Sequence, residues 1–265
     1  MHADTSSRLQ QQIRACRDPI QIMSHIVLGY PSLEENRLVM DQMVAAGVHV
    51  IELQIPFSEP IADGPVIAYA NQESLRRGFR VEEGLNFIAE SVRRYPIPIL
   101  IMTYVNILMA RGVESFIQQS ATMGVRGLIV PDLPLEEAGS AMEWCRLHGK
   151  GGLDWIHLFT PTSGMDRLEA LGRHASGMVY CVARRGVTGQ RTDFDPALMD
   201  FLNRCRAATT VPLALGFGVR SHTDVQQLIG KVELAVVGTA AIEVHLSQGV
   251  EAVGRFFSGL KPQVA

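Results

Sequence analysis

The chain is poor in the features that direct a protein to a membrane, a polyanion or an oxidising compartment. Its apolar runs are too short to span a bilayer. The opening segment MHADTSSRLQQQIRACRDP has no apolar core of the kind a secretory signal needs, so a cytoplasmic location is expected. Four cysteines, at 16, 145, 181 and 205, are scattered, with no CxxC pair and no neighbouring histidine at zinc-ligand spacing. Buried thiols are therefore expected rather than a disulfide framework or a metal centre. A net charge of -3, without a long run of one sign, argues against a nucleic-acid or anionic-membrane surface. None of the eight histidines has a triad context, and GxSxG is absent. No proline- or serine-rich linker divides the chain.

What remains is an ordinary globular composition, 47% hydrophobic and 19% charged, with enough chain for a large core. Short β-branched runs alternate with helical patterns from end to end, which signals a parallel sheet built of βα units. Eight strand candidates stand out: HIVLG (25–29), HVIELQ (49–54), PILIMTY (98–104), GLIVPD (127–132), WIHLF (155–159), MVYCVA (178–183), PLALGFG (212–218) and LAVVG (234–238). Helical periodicity lies between them at 33–46, 81–94, 113–123, 135–148 and 196–207. Several helices run into glycine before the next strand, as in AAGVHV, TMGVRG and HASGMV. Eight units without a linker favour one α/β domain over residues 1–265: a closed (β/α)8 TIM barrel. An extra N-terminal helix near 7–15 would cap its floor.

In such barrels the chemistry sits at the C-terminal ends of the strands. In IELQIPFSEPIADGP (51–65), Ile51, Leu53 and Ile55 alternate with Val50, Glu52 and Gln54. The aliphatic face should meet the helices, leaving Glu52 pointing into the barrel near its mouth. There it serves either as a proton shuttle or as a structural carboxylate paired with an arginine. Asp63 follows in a proline-stiffened loop, either as a simple Asp-Gly turn or as a carboxylate held over a substrate. Gly216, Gly218 and Gly238 fall at the ends of strands seven and eight, with Thr239 opening a helix. These suit a phosphate cradle, against the alternative of tight packing. The segment 184–191 after strand six, RRGVTGQR, reads as a loop that closes over an anion or as solvated charge. His25 and His157 lie inside strand patterns and read as packing or hydrogen-bonding residues.

Taken in order, ELQIPFSEPIADGP, Tyr104-Val-Asn106, Val130-Pro-Asp-Leu-Pro-Leu-Glu-Glu137, Arg185-Gly-Val-Thr-Gly189, Gly216-Phe-Gly218 and Gly238-Thr239 resemble the tryptophan synthase alpha subunit family. The likeness runs from about Ile20 to about Glu243. It implies a lyase that cleaves indole-3-glycerol phosphate to indole and glyceraldehyde 3-phosphate. No cofactor is expected in this subunit, and pyridoxal phosphate (PLP) is expected in a beta partner within an alpha2beta2 heterotetramer. Glu52 and Asp63 match the family's catalytic carboxylates. Tyr180 matches a tyrosine near the glutamate, and Gly189, Gly216, Phe217, Gly218, Gly238 and Thr239 match phosphate-binding positions. Glu59, Asn106 and Asp132 match positions at or near the subunit interface. Gln54 replaces a common glycine and Glu59 a common aspartate. Gln54 is expected either to hydrogen-bond Glu52 or to narrow the indole pocket. Two other readings compete. One is another phosphate-binding barrel, such as indole-glycerol-phosphate synthase, whose strand lysine the predicted strands here lack. The other is a non-catalytic activator of a beta subunit.

Overall fold

The computed structural model describes residues 6–183, 196–216 and 218–262. Eight parallel strands close on themselves in chain order: β1 (Gln21–Val27), β2 (Val50–Gln54), β3 (Ile99–Met102), β4 (Gly127–Ile129), β5 (Asp154–Phe159), β6 (Val179–Val182), β7 (Leu213–Gly216) and β8 (Leu234–Val237). β8 pairs back onto β1, with Gln21 opposite Leu234, so no edge strand remains. All eight predicted strands are present. The starts agree to within one residue except at β1, which begins four residues before the predicted start because Gln21–Ser24 already pair with β8, and β3 and β4 end before the predicted ends.

The helices are α1 (Arg8–Ala15), α2 (Leu33–Ala45), α3 (Pro65–Arg76), α4 (Val81–Arg94), α5 (Val105–Arg111), α6 (Val113–Met123), α7 (Gly139–Gly149), α8 (Met165–Arg173), α9 (Pro196–Ala208), α10 (His222–Leu228), α11 (Thr239–Gln248) and α12 (Val250–Leu260). α4 and α6 have the predicted bounds. α7 starts later than predicted because residues 133–138 are taken up by turns around Pro134. Gly124 ends α6 with a left-handed φ of 89°, a conformation that costs little only without a Cβ.

Strand pleating sorts the side chains into two cores. Ile22, Ile26, Ile51, Leu53, Ile99 and Ile101 face outward and pack with the helices. Met23, Val50, Leu100, Ile129, Ile156 and Leu234 fill the barrel interior. Leu9 and Ile13 of α1 join that interior core, so the N-terminal helix plugs the floor as expected. Each such aliphatic side chain contributes about 1.5–3 kcal/mol on burial. The plug is anchored by Ser7, which caps α1 through Gln10 N (3.3 Å) and donates to Asp154 Oδ2 at 2.6 Å. Apolar side chains therefore fill most of the floor and middle of the barrel, with Gln21 and Asp154 as buried polar groups tied to the α1 plug, and Glu52 and Gln54 lie towards the mouth.

Candidate active site

β1 and β2 place His25 opposite Glu52 and Val27 opposite Gln54. The inward face of β2 ends in Glu52, 3% exposed, and Gln54, fully buried. The carboxylate Oε1 of Glu52 lies 3.4 Å from His25 Nδ1, while Oε2 is buried without a hydrogen-bond partner. The expectation for Glu52's placement is met. Among the described residues, the basic group within ion-pair range of Glu52 is His25 and not an arginine.

Asp63 is brought over this pair by the loop between β2 and α3. Phe57 N donates to Asn71 Oδ1 (3.0 Å), and Asn71 is tied to Ile67 O at 2.9 Å, which fixes the loop on the first turns of α3. Tyr104 secures the other side. Its ring stacks on Phe57 at 5.0 Å, and its hydroxyl accepts from Ala62 N (3.2 Å) while donating to Asp63 Oδ2 (3.0 Å). Gln54 Nε2 donates to the same Oδ2 at 2.6 Å. Of the two expectations for Gln54, the bond to Glu52 is replaced by one to Asp63, because the pleat sets Gln54 one step mouthward of Glu52, under the folded loop.

Electrostatics follow from this crowding. Burial pushes the Asp63 carboxyl above its usual range, opposed by His25, Gln54 and Tyr104. For His25, burial disfavours the imidazolium, but Glu52 and then Asp63 outweigh it and hold the ring's proton above the usual histidine range. Desolvation, then the charges of Glu52 and Asp63, push the Tyr180 phenol well up, so it stays a neutral donor.

Gly216 and Gly238 end the neighbouring strands β7 and β8, with Gly216 opposite Val236. A Cβ at Gly216 would stand 2.9 Å from the Tyr180 ring, so the glycine is what lets the tyrosine lie there. Gly218 has φ +77°, a second requirement for glycine in this turn. Buried Thr239 opens α11 behind Gly238, presenting a helix N-terminus without a side-chain cap. Gly189, Phe217 and the segment 184–191 lie outside the described residues. Of the positions that the family resemblance assigns to the interface, Glu59 and Asn106 are exposed, and half-buried Asp132 accepts from Val105 N (2.9 Å), capping α5.

Two participants were missed in the sequence. His25 carried a signal, since it alternates with Met23 on the inward face of β1. Tyr104 stood in a quoted motif, but its link to Asp63 depends on a loop geometry that alternation does not report.

At the opposite end of the barrel, Cys16, Asp18 and His49 bring a thiol, a carboxylate and an imidazole within 4.8 Å of one another, a grouping sequence spacing did not suggest. Ile22 N donates to His49 Nδ1 at 3.0 Å, so the neutral ring keeps its proton on Nε2, 2.9 Å from Asp18. That nitrogen has no lone pair to give a metal.

Comparison with known proteins decides the lineage. The family model described as tryptophan synthase alpha chain matches residues 14–253. The chain belongs to the tryptophan synthase alpha chain family. It is thus the alpha-type subunit of a lyase of tryptophan biosynthesis. It is 49% identical over 242 residues to the alpha chain of Desulfotalea psychrophila, covering 91% of this chain and 94% of that one. It is 48% identical to that of Desulforapulum autotrophicum over 241 residues, with coverage of 91% and 94%. A Mycobacterium tuberculosis tryptophan synthase structure superposes with a TM-score of 0.88 at 30% identity, covering 96% of this chain and 97% of that one. A Pyrococcus furiosus tryptophan synthase complex gives 0.81 at 27%, with coverage of 92% and 98%. Among the described residues, no helix is long and apolar enough to cross a membrane.

Proposed function

We propose that this chain, acting as one barrel domain in the cytoplasm, cleaves indole-3-glycerol phosphate to indole and glyceraldehyde 3-phosphate, with Glu52 and Asp63 as the catalytic carboxylates. The observation that carries the reading is the pairing of two buried carboxylates with different partners at a barrel mouth beside a glycine-rich strand end. Retro-aldol cleavage needs a proton delivered to indole C3, then removal of the proton from the adjacent glycerol hydroxyl as the carbon–carbon bond breaks. The electrons of that bond return to the indole ring and those of the O–H bond form the aldehyde. Glu52 Oε2, buried and without a partner, is suited to both transfers. Positive charge meanwhile develops on the indole N–H. Asp63 is fixed through Oδ2, which leaves Oδ1 to accept that N–H in a water-poor site where such stabilisation is strongest.

Tyr180, Gly216, Gly218, Gly238 and Thr239, together with Gly189 and Phe217, form the substrate side, with the phosphate at the strand ends and the α11 N-terminus. The subunit uses no cofactor of its own. The Pyrococcus furiosus relative is described as an alpha2beta2 complex with mutual activation. The corresponding partner here is a PLP-dependent beta subunit in an alpha2beta2 assembly that receives the indole. Its docking surface includes Glu59, Asn106 and Asp132. Ile61, 72% exposed in the β2–α3 loop, and Met109, 63% exposed on α5, add apolar area beside Glu59 and Asn106. The test is turnover of indole-3-glycerol phosphate, followed as indole with and without a beta subunit, alongside the mass of the complex. Beta-stimulated release of indole is the expected result. Activation of a beta subunit without any cleavage would favour the non-catalytic alternative.

A further inference from the structure

The two buried carboxylates raise a question that the cleavage reading leaves open. Glu52 and Asp63 are both buried and close enough to repel each other, and burying two anions together is costly without a compensating cation. Among the described residues, His25 is the one basic side chain within ion-pair distance of either of them. The groups around it are known from each side. β2 contributes Glu52 and Gln54, the following loop Asp63, β3 leads into Tyr104, and β6 contributes Tyr180. From β8, Gly238 lies against the His25 Cβ, and the inward residues Leu234 and Val236 are apolar. The ring is 5% exposed, so bulk water does not reach it, and Gln54 joins Glu52 and Asp63 in favouring its protonated form.

The asymmetry at Glu52 is informative. Oε1 faces His25 Nδ1, whereas Oε2 is buried without a hydrogen-bond partner. We propose that His25 is a positioning residue that holds the shuttled proton for Glu52, so that a His25–Glu52 couple, not the lone carboxylate, carries out the proton transfers. This rests on the cleavage reading above. The proton passes from Nδ1 of the imidazolium to Oε1, and a half-turn of the carboxyl about Cγ–Cδ then presents that proton to indole C3. When the carbon–carbon bond breaks, the glycerol hydroxyl gives its proton to the carboxylate, which turns back and returns that same proton to Nδ1. His25 begins and ends as the imidazolium and no proton is gained or lost. Gln54 and Tyr104, committed to Asp63, keep that second carboxylate directed at the other end of the substrate.

The test compares wild type, His25→Phe and His25→Asn, each in complex with a beta subunit, by kcat and KM for indole-3-glycerol phosphate from about pH 5.5 to about pH 9. Asn can donate a hydrogen bond to Glu52 but cannot store a proton. Both variants are expected to lose kcat by roughly 100-fold, with KM within about threefold, as general acid–base contributions of this type do. The alkaline limb of the rate profile, where the couple gives up its proton, should move to lower pH in both, because a carboxyl alone holds a proton less tightly than an imidazole. Full kcat and an unmoved alkaline limb in His25→Asn would overturn the proposal, since a hydrogen bond alone would then suffice. Should the variants fail to fold, the His25 ring is titrated by NMR in wild type and Glu52→Gln. Its titration should fall to lower pH in Glu52→Gln, and an unchanged titration would overturn the proposal. Absence of indole release by the wild-type complex itself would defeat the cleavage reading and the couple together. Normal wild-type release with an unchanged His25→Phe profile would defeat the couple alone.

Discussion

Replacing Gln54 by leucine should leave the fold nearly as stable while changing the pH at which it works. The amide Nε2 donates to Asp63 Oδ2 at 2.6 Å, and a hydrogen bond to an ionised acceptor contributes about 1.5–3 kcal/mol. The same side chain, fully buried, leaves Oε1 without a partner, and such a group costs about 1–3 kcal/mol. The Gln54→Leu substitution would remove both contributions at similar volume. Because they oppose each other, the net change in unfolding free energy should stay within about 1 kcal/mol. Asp63 does not share in that cancellation. Its carboxyl already lies above the usual range through burial, and loss of the donor raises it further. The ionised form is the one required at the indole nitrogen, so the acid limb of kcat/KM should move upward by roughly one to two pH units. Urea unfolding and a pH profile of indole release measure the two halves. A loss of stability above about 3 kcal/mol would show that Oε1 is satisfied in the folded protein, and an unmoved acid limb would show that Gln54 does not support ionised Asp63.

Other perturbations probe the scaffold. Burial, then the charges of His174 and Arg167, push His157 down to about 4. The folded state therefore refuses a proton that the unfolded chain accepts below about 6.5, and stability present above that pH is lost on acidification, by on the order of 3 kcal/mol at pH 4. His157→Leu should remove that share of the acid destabilisation, measured as urea stability at neutral and acid pH; identical pH dependence in both proteins would contradict it. Ser7→Ala removes the α1 cap and the 2.6 Å bond to Asp154 at the barrel floor. It should lower stability by about 2–4 kcal/mol and leave kcat intact at temperatures where the variant is folded. A selective loss of kcat would show coupling between floor and mouth.

The eight strands were legible in the sequence because an all-parallel barrel demands β-branched runs at regular spacing. The orientation of β2 was legible too, since Ile51, Leu53 and Ile55 mark one face and so assign Glu52 to the other. What alternation cannot report is partnership across elements. Gln54 was correctly placed on the inward face, yet its bond to Asp63 depends on how residues 55–64 fold back, which Phe57, Asn71 and Tyr104 decide together. His25 read as a packing or hydrogen-bonding residue without a named partner, because that partner comes from the β1–β2 register, in which it stands opposite Glu52. Short helices such as α5, held by the Asp132 cap from another loop, likewise owe their existence to tertiary contacts.

The most direct test of the central claim is the turnover of indole-3-glycerol phosphate by the complex carrying Glu52→Gln, with the activity of the beta subunit read in the same sample. Indole release should fall by at least about 100-fold while stimulation of the beta subunit persists, since the substitution removes the shuttle and leaves the docking loops unchanged. Undiminished indole release from Glu52→Gln would contradict the assignment of the chemistry to this carboxylate.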